Sequence, residues 1–279
     1  MALNKALEVR EAADFDDESP ICVYKLCEKM GIRVQFTAIA SMEGMYVARE
    51  PPEICLSSLR PLGRRTFTCG HELGHHVFGH GSSIDELRKE DGAKPAFKPD
   101  EFLVNAFSGF LLMPQVGVRN AFRVRGWDLD AASPDQVFTV ACHFGVGYET
   151  LANHLGYSIN EISSTRVQEL ERTKLPAIRR LLLGHSSDRP LIIADRYYQH
   201  PTLDVEIGTQ VLLPEGVVAE SPSLGHIEDL PRGRLFQAGK PGLVRVHDPK
   251  SDWAIIIRTA RFQYEGLAKY RHLEEEDDE

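Results

Sequence analysis

Long apolar runs are missing from this chain. No stretch approaches the roughly 18 consecutive apolar residues that a membrane-spanning helix needs. The N-terminal residues, among them Lys5, Glu8, Arg10, Glu11, Asp14, Asp16, Asp17 and Glu18, lack the apolar core of a secretory signal. The expectation is a cytoplasmic protein with no membrane partner. Cysteine is scarce: Cys22, Cys27, Cys55, Cys69 and Cys142 are odd in number and contain no C-x-x-C spacing, which argues against a disulfide framework and against a cysteine zinc site. Reduced, mostly buried thiols are expected. Positive charge is the third absence. From Gly126 to Thr165, forty residues, there is neither Lys nor Arg, while Asp128, Asp130, Asp135, Glu149 and Glu161 are acidic and the whole chain carries a net charge of −9. Basic side chains that neutralise phosphates supply most non-specific nucleic-acid affinity, so direct specific DNA binding is not expected.

What is present most tellingly is His71-Glu72-Leu73-Gly74-His75. On a helix of about 3.6 residues per turn, two imidazoles four residues apart share a face, and Glu72 sits one residue round from the first. Neutral imidazoles at this spacing can grip one zinc ion, which acidifies water at its open position while a nearby carboxylate accepts the proton. The motif thus nominates His71 and His75 as ligands and Glu72 as general base. Its surroundings, Thr66 to Gly70 and Val77-Phe78, are apolar or small, a setting in which polar side chains without partners are costly to bury.

The remaining residues read as an ordinary globular composition, 42% apolar and 26% charged over 279 residues, with room for two domains. Ser19-Pro20 marks a helix start, with Val23, Leu26, Cys27 and Met30 following at helical spacing. Strands are expected at 32–36, 44–47 and 54–56, then the metal helix from about 64 to 80. A charged connection with Gly and Pro runs from 81 to 99, with a short helix near 84–89. The helix expected at 100–113 is apolar nearly all round and should be buried. Further helices are expected at 115–125, 134–143, 147–156 and 163–183, the last interrupted at Pro176; after Gly184 short β-type segments begin at 191, 203, 210, 243 and 253. The expected organisation is a metal-binding core at 1–126, a helix-turn-helix-like extension at 127–184, a β-rich C-terminal domain at 185–270 and a solvated acidic tail at 271–279.

Two histidines do not complete a catalytic zinc site. The pattern H-E-x-x-H-x-x-G-x-x-H fails, because Gly79 and His80 stand four and five residues after His75 instead of three and six. His76 and His80 lie about 100° and 140° round a regular helix from His75, which makes them neighbours of the ligands or surface residues. Glu101, an acid at the start of a buried helix, needs a charge partner and is the preferred third ligand. Asn105, one turn on, would orient a ligand carboxylate. Asp100, Glu86 and Glu90 remain alternatives.

The block Phe67-Thr68-Cys69-Gly70-His71-Glu72-Leu73-Gly74-His75-His76, followed by Glu101, Asn105 and Leu111-Leu112-Met113-Pro114, resembles the ImmA/IrrE family of bacterial and phage metallopeptidases over about residues 19–160. The resemblance implies an α+β fold with a zincin-like, gluzincin-type core. It implies His71, His75 and Glu101 as metal ligands, Glu72 as catalytic base, and zinc as cofactor with manganese as the alternative. It further implies an endopeptidase that cleaves a helix-turn-helix repressor, often encoded beside it, and so derepresses stress-response or mobile-element genes. Some members carry a C-terminal sensor domain similar to GAF domains, and the β-rich region after Gly184 is of suitable size for sensing or substrate recognition.

The helix, glycine turn, helix rhythm of 138–155 reads as packing that braces the metal helices, since its charge disfavours DNA. His143, Tyr148 and His154 are candidate oxyanion donors, none singled out. An extended substrate segment is expected to pair with an edge strand such as Glu53 to Ser57. The rival reading is a non-catalytic regulator that sequesters a transcription factor, which intact His71, Glu72, His75 and Glu101 disfavour.

Overall fold

A computed structural model describes residues 1–86 and 98–273. In chain order the elements are α1 (Ala2–Ala12), α2 (Val23–Lys29), β1 (Arg33–Thr37), β2 (Met42–Val47), β3 (Glu53–Ser57), α3 (Leu62–Phe78), β4 (Ser83–Glu86), α4 (Pro99–Leu112), α5 (Gln115–Arg123), α6 (Pro134–His143), α7 (Tyr148–Asn153), α8 (Ser164–Arg172) and α9 (Leu175–Leu183). Strands follow: β5 (Leu191–Ile193), β6 (Thr202–Glu206), β7 (Gln210–Leu213), β8 (Val218–Ala219), β9 (Leu224–Leu230), β10 (Gly233–Ala238), β11 (Gly242–His247), β12 (Ala254–Ala260) and β13 (Gly266–Leu267). The fold mixes helix and sheet and divides into two compact units, Met1–Val118 with Gln263–Lys269, and Arg119–Phe262 with Tyr270–Glu279.

In the first unit the strands form a sheet in the order β13-β1-β3-β2-β4, with β1 and β3 parallel and the other neighbours antiparallel. β3 is therefore interior, buried at Ile54 and Leu56, and cannot be the edge to which an extended segment adds. Residue alternation marks a strand but says nothing of its place in the sheet. Among the described residues the sheet ends at β4. The short helix expected near 84–89 is instead this strand, with Ile84 opposite Met45 and Ser83 opposite Tyr46; residues 87–89 lie outside the described residues.

The helix α1 had no counterpart in the sequence reading. It carries Arg10, fully buried, whose guanidinium donates to the backbone oxygens of Asp16 (2.7 Å), Leu111 (2.6 Å) and Ser19 (2.5 Å). The Leu111 oxygen lies in the last turn of α4, where carbonyls lack helical partners and a cation meets the negative end of the helix dipole. Together α4 and α5, bent by 43°, are long and apolar enough to pass as a broken span, but no single described helix is. The apolar face of α4 (Val104, Phe107, Leu111, Leu112) is buried within the protein.

In the second unit α6 starts at a capping box of Ser133 and Gln136, and a turn through Gly145 at φ 66° leads into α7. The helix expected over 163–183 is two helices, because Thr173 and Lys174 leave the helical region before Pro176 opens α9. Two four-stranded sheets follow, β5-β7-β10-β9 and β6-β12-β11-β8, around a core that includes Val211, Phe236, Val246 and Ile257. Gly126 and Gly184, at the expected boundaries, both lie in this unit, in the turns that follow α5 and α9. Arg125, just after α5, pairs with Asp195, just after β5, at 2.6 Å, and Asp135 of α6 pairs with Arg232 in the β9–β10 turn at 2.6 Å. The residues of the acidic tail from 274 onwards lie outside the described residues.

Candidate metal centre

Two glycines on α3 set the approach of α4. A Cβ at Gly70 would stand 2.5 Å from Ser108 Oγ, and one at Gly74 would stand 2.9 Å from Val104 Cβ. Only glycine lets the helices come this close, and the Ser108 hydroxyl closes the contact by donating to the Phe67 carbonyl at 2.8 Å. This approach brings the first turn of α4 against His71 and His75.

His71, His75 and Glu101 converge with one potential ligand atom each, all within 4.8 Å of one another. The two Nε2 atoms are 3.2 Å apart, His71 Nε2 is 3.4 Å from Glu101 Oε2, and His75 Nε2 is 3.8 Å from Glu101 Oε1. A tetrahedral zinc ion bonded at about 2.05 Å separates neighbouring donor atoms by roughly 3.3 Å. The spacing and the two-imidazole, one-carboxylate chemistry both fit such an ion, and two buried imidazole nitrogens facing each other have a clear reason to do so if a cation lies between them. Both histidines are buried and Glu101 is about a quarter exposed, so the cluster keeps an open side.

The outer nitrogens fix the rings. His71 Nδ1 donates to Asn105 Oδ1 at 3.0 Å, which turns its Nε2 lone pair inward. Asn105 thus orients an imidazole, not the ligand carboxylate expected from its i+4 relation to Glu101; shared helix face does not say which neighbouring helix a side chain meets. His75 Nδ1 lies 3.2 Å from His80 Nδ1, and His80 Nε2 lies 3.8 Å from Asp100 Oδ1. Asp100 therefore faces His80 and is not part of the convergent cluster. Glu90 and the side chain of Glu86 lie outside the described residues. His76 turns away to the Tyr46 hydroxyl, 2.8 Å from its Nδ1, and burial lowers its pKa.

Glu72 is fully buried beside the cluster. Ser83 of β4 donates its hydroxyl to Glu72 Oε2 at 3.0 Å, and Gly44 of β2 leaves room for the carboxylate. Neither Gly44 nor Ser83 was singled out from the sequence, although a glycine inside a strand is a sign of close approach by another group. Behind α3, Cys69 meets Cys27 with sulfurs 3.8 Å apart, and burial raises the Cys69 thiol pKa, consistent with inert thiols rather than ligands.

His143, Tyr148 and His154 all belong to the second unit. Tyr148 donates its hydroxyl to the Leu170 carbonyl, and burial pushes it up to about 12. Burial also pushes His143 down to about 3.

Residues 27–155 match the model of the M78 peptidase family, described as the IrrE N-terminal-like domain. The matched span contains α3, α4 and the whole convergent cluster. No curated protein gives a significant match to the chain.

Proposed function

Because residues 27–155 match the model of the IrrE N-terminal-like peptidase family, as the ImmA/IrrE resemblance anticipated, we propose that this chain is a zinc-dependent endopeptidase that cleaves a helix-turn-helix repressor at one site and so derepresses the genes under it. One observation carries the reading: His71, His75 and Glu101 converge at metal-ligand spacing with the Glu72 carboxylate buried beside them.

In this reading His71, His75 and Glu101 hold the ion; two imidazoles and a carboxylate suit zinc, with manganese as the alternative. When bound, zinc polarises the scissile carbonyl and acidifies the attacking water. Glu72 accepts the proton of that water and passes it to the departing amide nitrogen. Burial keeps the Glu72 carboxylate out of bulk solvent, and the Ser83 hydroxyl restrains its rotation. An extended substrate segment adds to β4, the end of the described sheet, whose Ser83 adjoins Glu72. The protein acts in the cytoplasm on the repressor and has no specific DNA affinity of its own, as the uncharged-to-acidic run from Gly126 to Thr165 supports. The test is incubation of the full chain and zinc with the repressor encoded beside it, read by mass spectrometry. One defined cut supports the proposal, and an intact repressor refutes that choice of substrate class.

A further inference from the structure

We propose that His80 is a positioning residue for the metal centre: it holds the His75 imidazole in the tautomer and rotation that present Nε2 to the ion, and Asp100 in turn faces His80. This rests on the reading of His75 as a ligand.

A neutral imidazole has one N–H and one lone pair. If the lone pair of His75 Nε2 faces the ion, its proton sits on Nδ1 and needs an acceptor. Nδ1 of His80 lies 3.2 Å away. His80 then keeps its own lone pair on Nδ1 and its proton on Nε2, the nitrogen 3.8 Å from Asp100 Oδ1. The acceptor role fixes both tautomers at once.

The backbone delivers His80 to this place. On a continuous helix it would lie about 140° round from His75. The helix ends instead at Gly79, whose left-handed φ of 70° turns the chain, and the His80 amide donates back to the His75 carbonyl at 3.1 Å. The His80 ring stacks on Phe78 with centroids 5.8 Å apart, and Phe78 meets Phe107 of α4 edge-on at 5.7 Å. The His80 side chain is 17% exposed. Each histidine ligand thus has its own acceptor for the outer nitrogen, Asn105 for His71 and His80 for His75. Such partners of ligating histidines typically change metal affinity by about 10- to 100-fold.

Two substitutions separate positioning from packing. H80F keeps a ring to stack on Phe78 but removes the acceptor; H80N gives up the stack and sets an amide oxygen near the position of Nδ1. Zinc dissociation constants of the full-length wild type, H75A, H80F and H80N would be measured by competition with a chromogenic chelator, with the d–d absorption of cobalt-loaded samples as the spectroscopic signature. H80F should bind zinc about 10- to 100-fold more weakly than wild type and shift the cobalt bands, while H80N stays near wild type in both. Wild-type affinity in H80F, or H80N as weak as H80F, overturns the positioning role. Wild-type affinity in H75A would instead remove the ligand assignment, and this proposal with it.

Discussion

A methyl group at Gly44 would stand 2.7 Å from Oε1 of Glu72 and 2.5 Å from Cγ2 of Thr68, so the backbone of β2 and the buried carboxylate of α3 occupy adjoining space that only glycine leaves open. Gly44→Ala should push the Glu72 carboxylate aside while leaving His71, His75 and Glu101 in place. Misplacing a reacting group by about 1 Å costs up to roughly 100-fold in rate. The expected result is kcat/KM reduced by about 10- to 100-fold with metal content unchanged by elemental analysis. Full activity in this variant would show that Glu72 tolerates displacement.

The convergent cluster predicts one divalent ion per chain. His75→Ala should abolish stoichiometric zinc, measured by plasma emission after gel filtration. Treating the wild type with a chelator should stop cleavage and lower its melting temperature, because a ligand that binds only the folded state stabilises it. A His75→Ala protein that still carries one zinc would place the site elsewhere.

His143 gives the second unit a specific acid sensitivity. Burial, with Arg125 and His200 nearby, pushes its imidazole down to about 3, against about 6.5 for an unfolded histidine. Between these values the unfolded chain binds a proton that the folded chain does not, so stability is complete above about pH 6.5 and falls as the pH drops. About 2 kcal/mol should be lost between pH 6.5 and 5 on this account, and His143→Phe should flatten that slope. Urea unfolding of both proteins at the two pH values measures it; parallel profiles would contradict the assignment.

Asp204 and Arg258 stand opposite each other on β6 and β12, joined at 2.6 and 2.8 Å, and Arg271 adds a bond of 2.8 Å to the same carboxylate. Burial alone would raise the Asp204 pKa, yet Arg271, His272 and Arg258 outweigh it and hold the carboxyl well below the usual range. Asp204→Asn leaves two largely buried guanidiniums facing an uncharged group and should cost about 3 kcal/mol at pH 7. A depressed carboxyl contributes its stability above its unfolded value of about 4 and loses it as pH falls through the folded value, so the gap between variant and wild type should narrow in acid. Denaturant melts at pH 7 and pH 3.5 check both parts.

The pairing of His71 with His75 was legible in the sequence because helical spacing fixes which side chains share a face, and a 3.6-residue period brings the two together without knowledge of the fold. The partner of Asn105 was not, since it depends on how closely α4 approaches α3, which Gly70 and Gly74 determine. Nor was the interior position of β3, because alternation marks a strand without naming its partners, and β3 is flanked by β1 in parallel and by β2 antiparallel. The strand β9 escaped notice for another reason: it closes one end of its sheet and exposes Gly225, His226 and Ile227, so it carries little of the apolar alternation that marks a buried strand. His80 was read as off the ligand face, which is correct for a straight helix; the left-handed turn at Gly79 brings it back.

The proposed function requires this chain to cut a repressor and Glu72 to move the proton. Its most direct measurement is a repressor and operator mixture to which the wild type or Glu72→Gln is added with zinc, with operator release and repressor fragments followed together. Release and a single cut are expected from the wild type; Glu72→Gln should match the wild type in metal content but show neither release nor cutting on the same time scale, a loss of about 10² to 10⁴ in rate. Cleavage by Glu72→Gln at the wild-type rate, or operator binding by this protein with the repressor left intact, would contradict it.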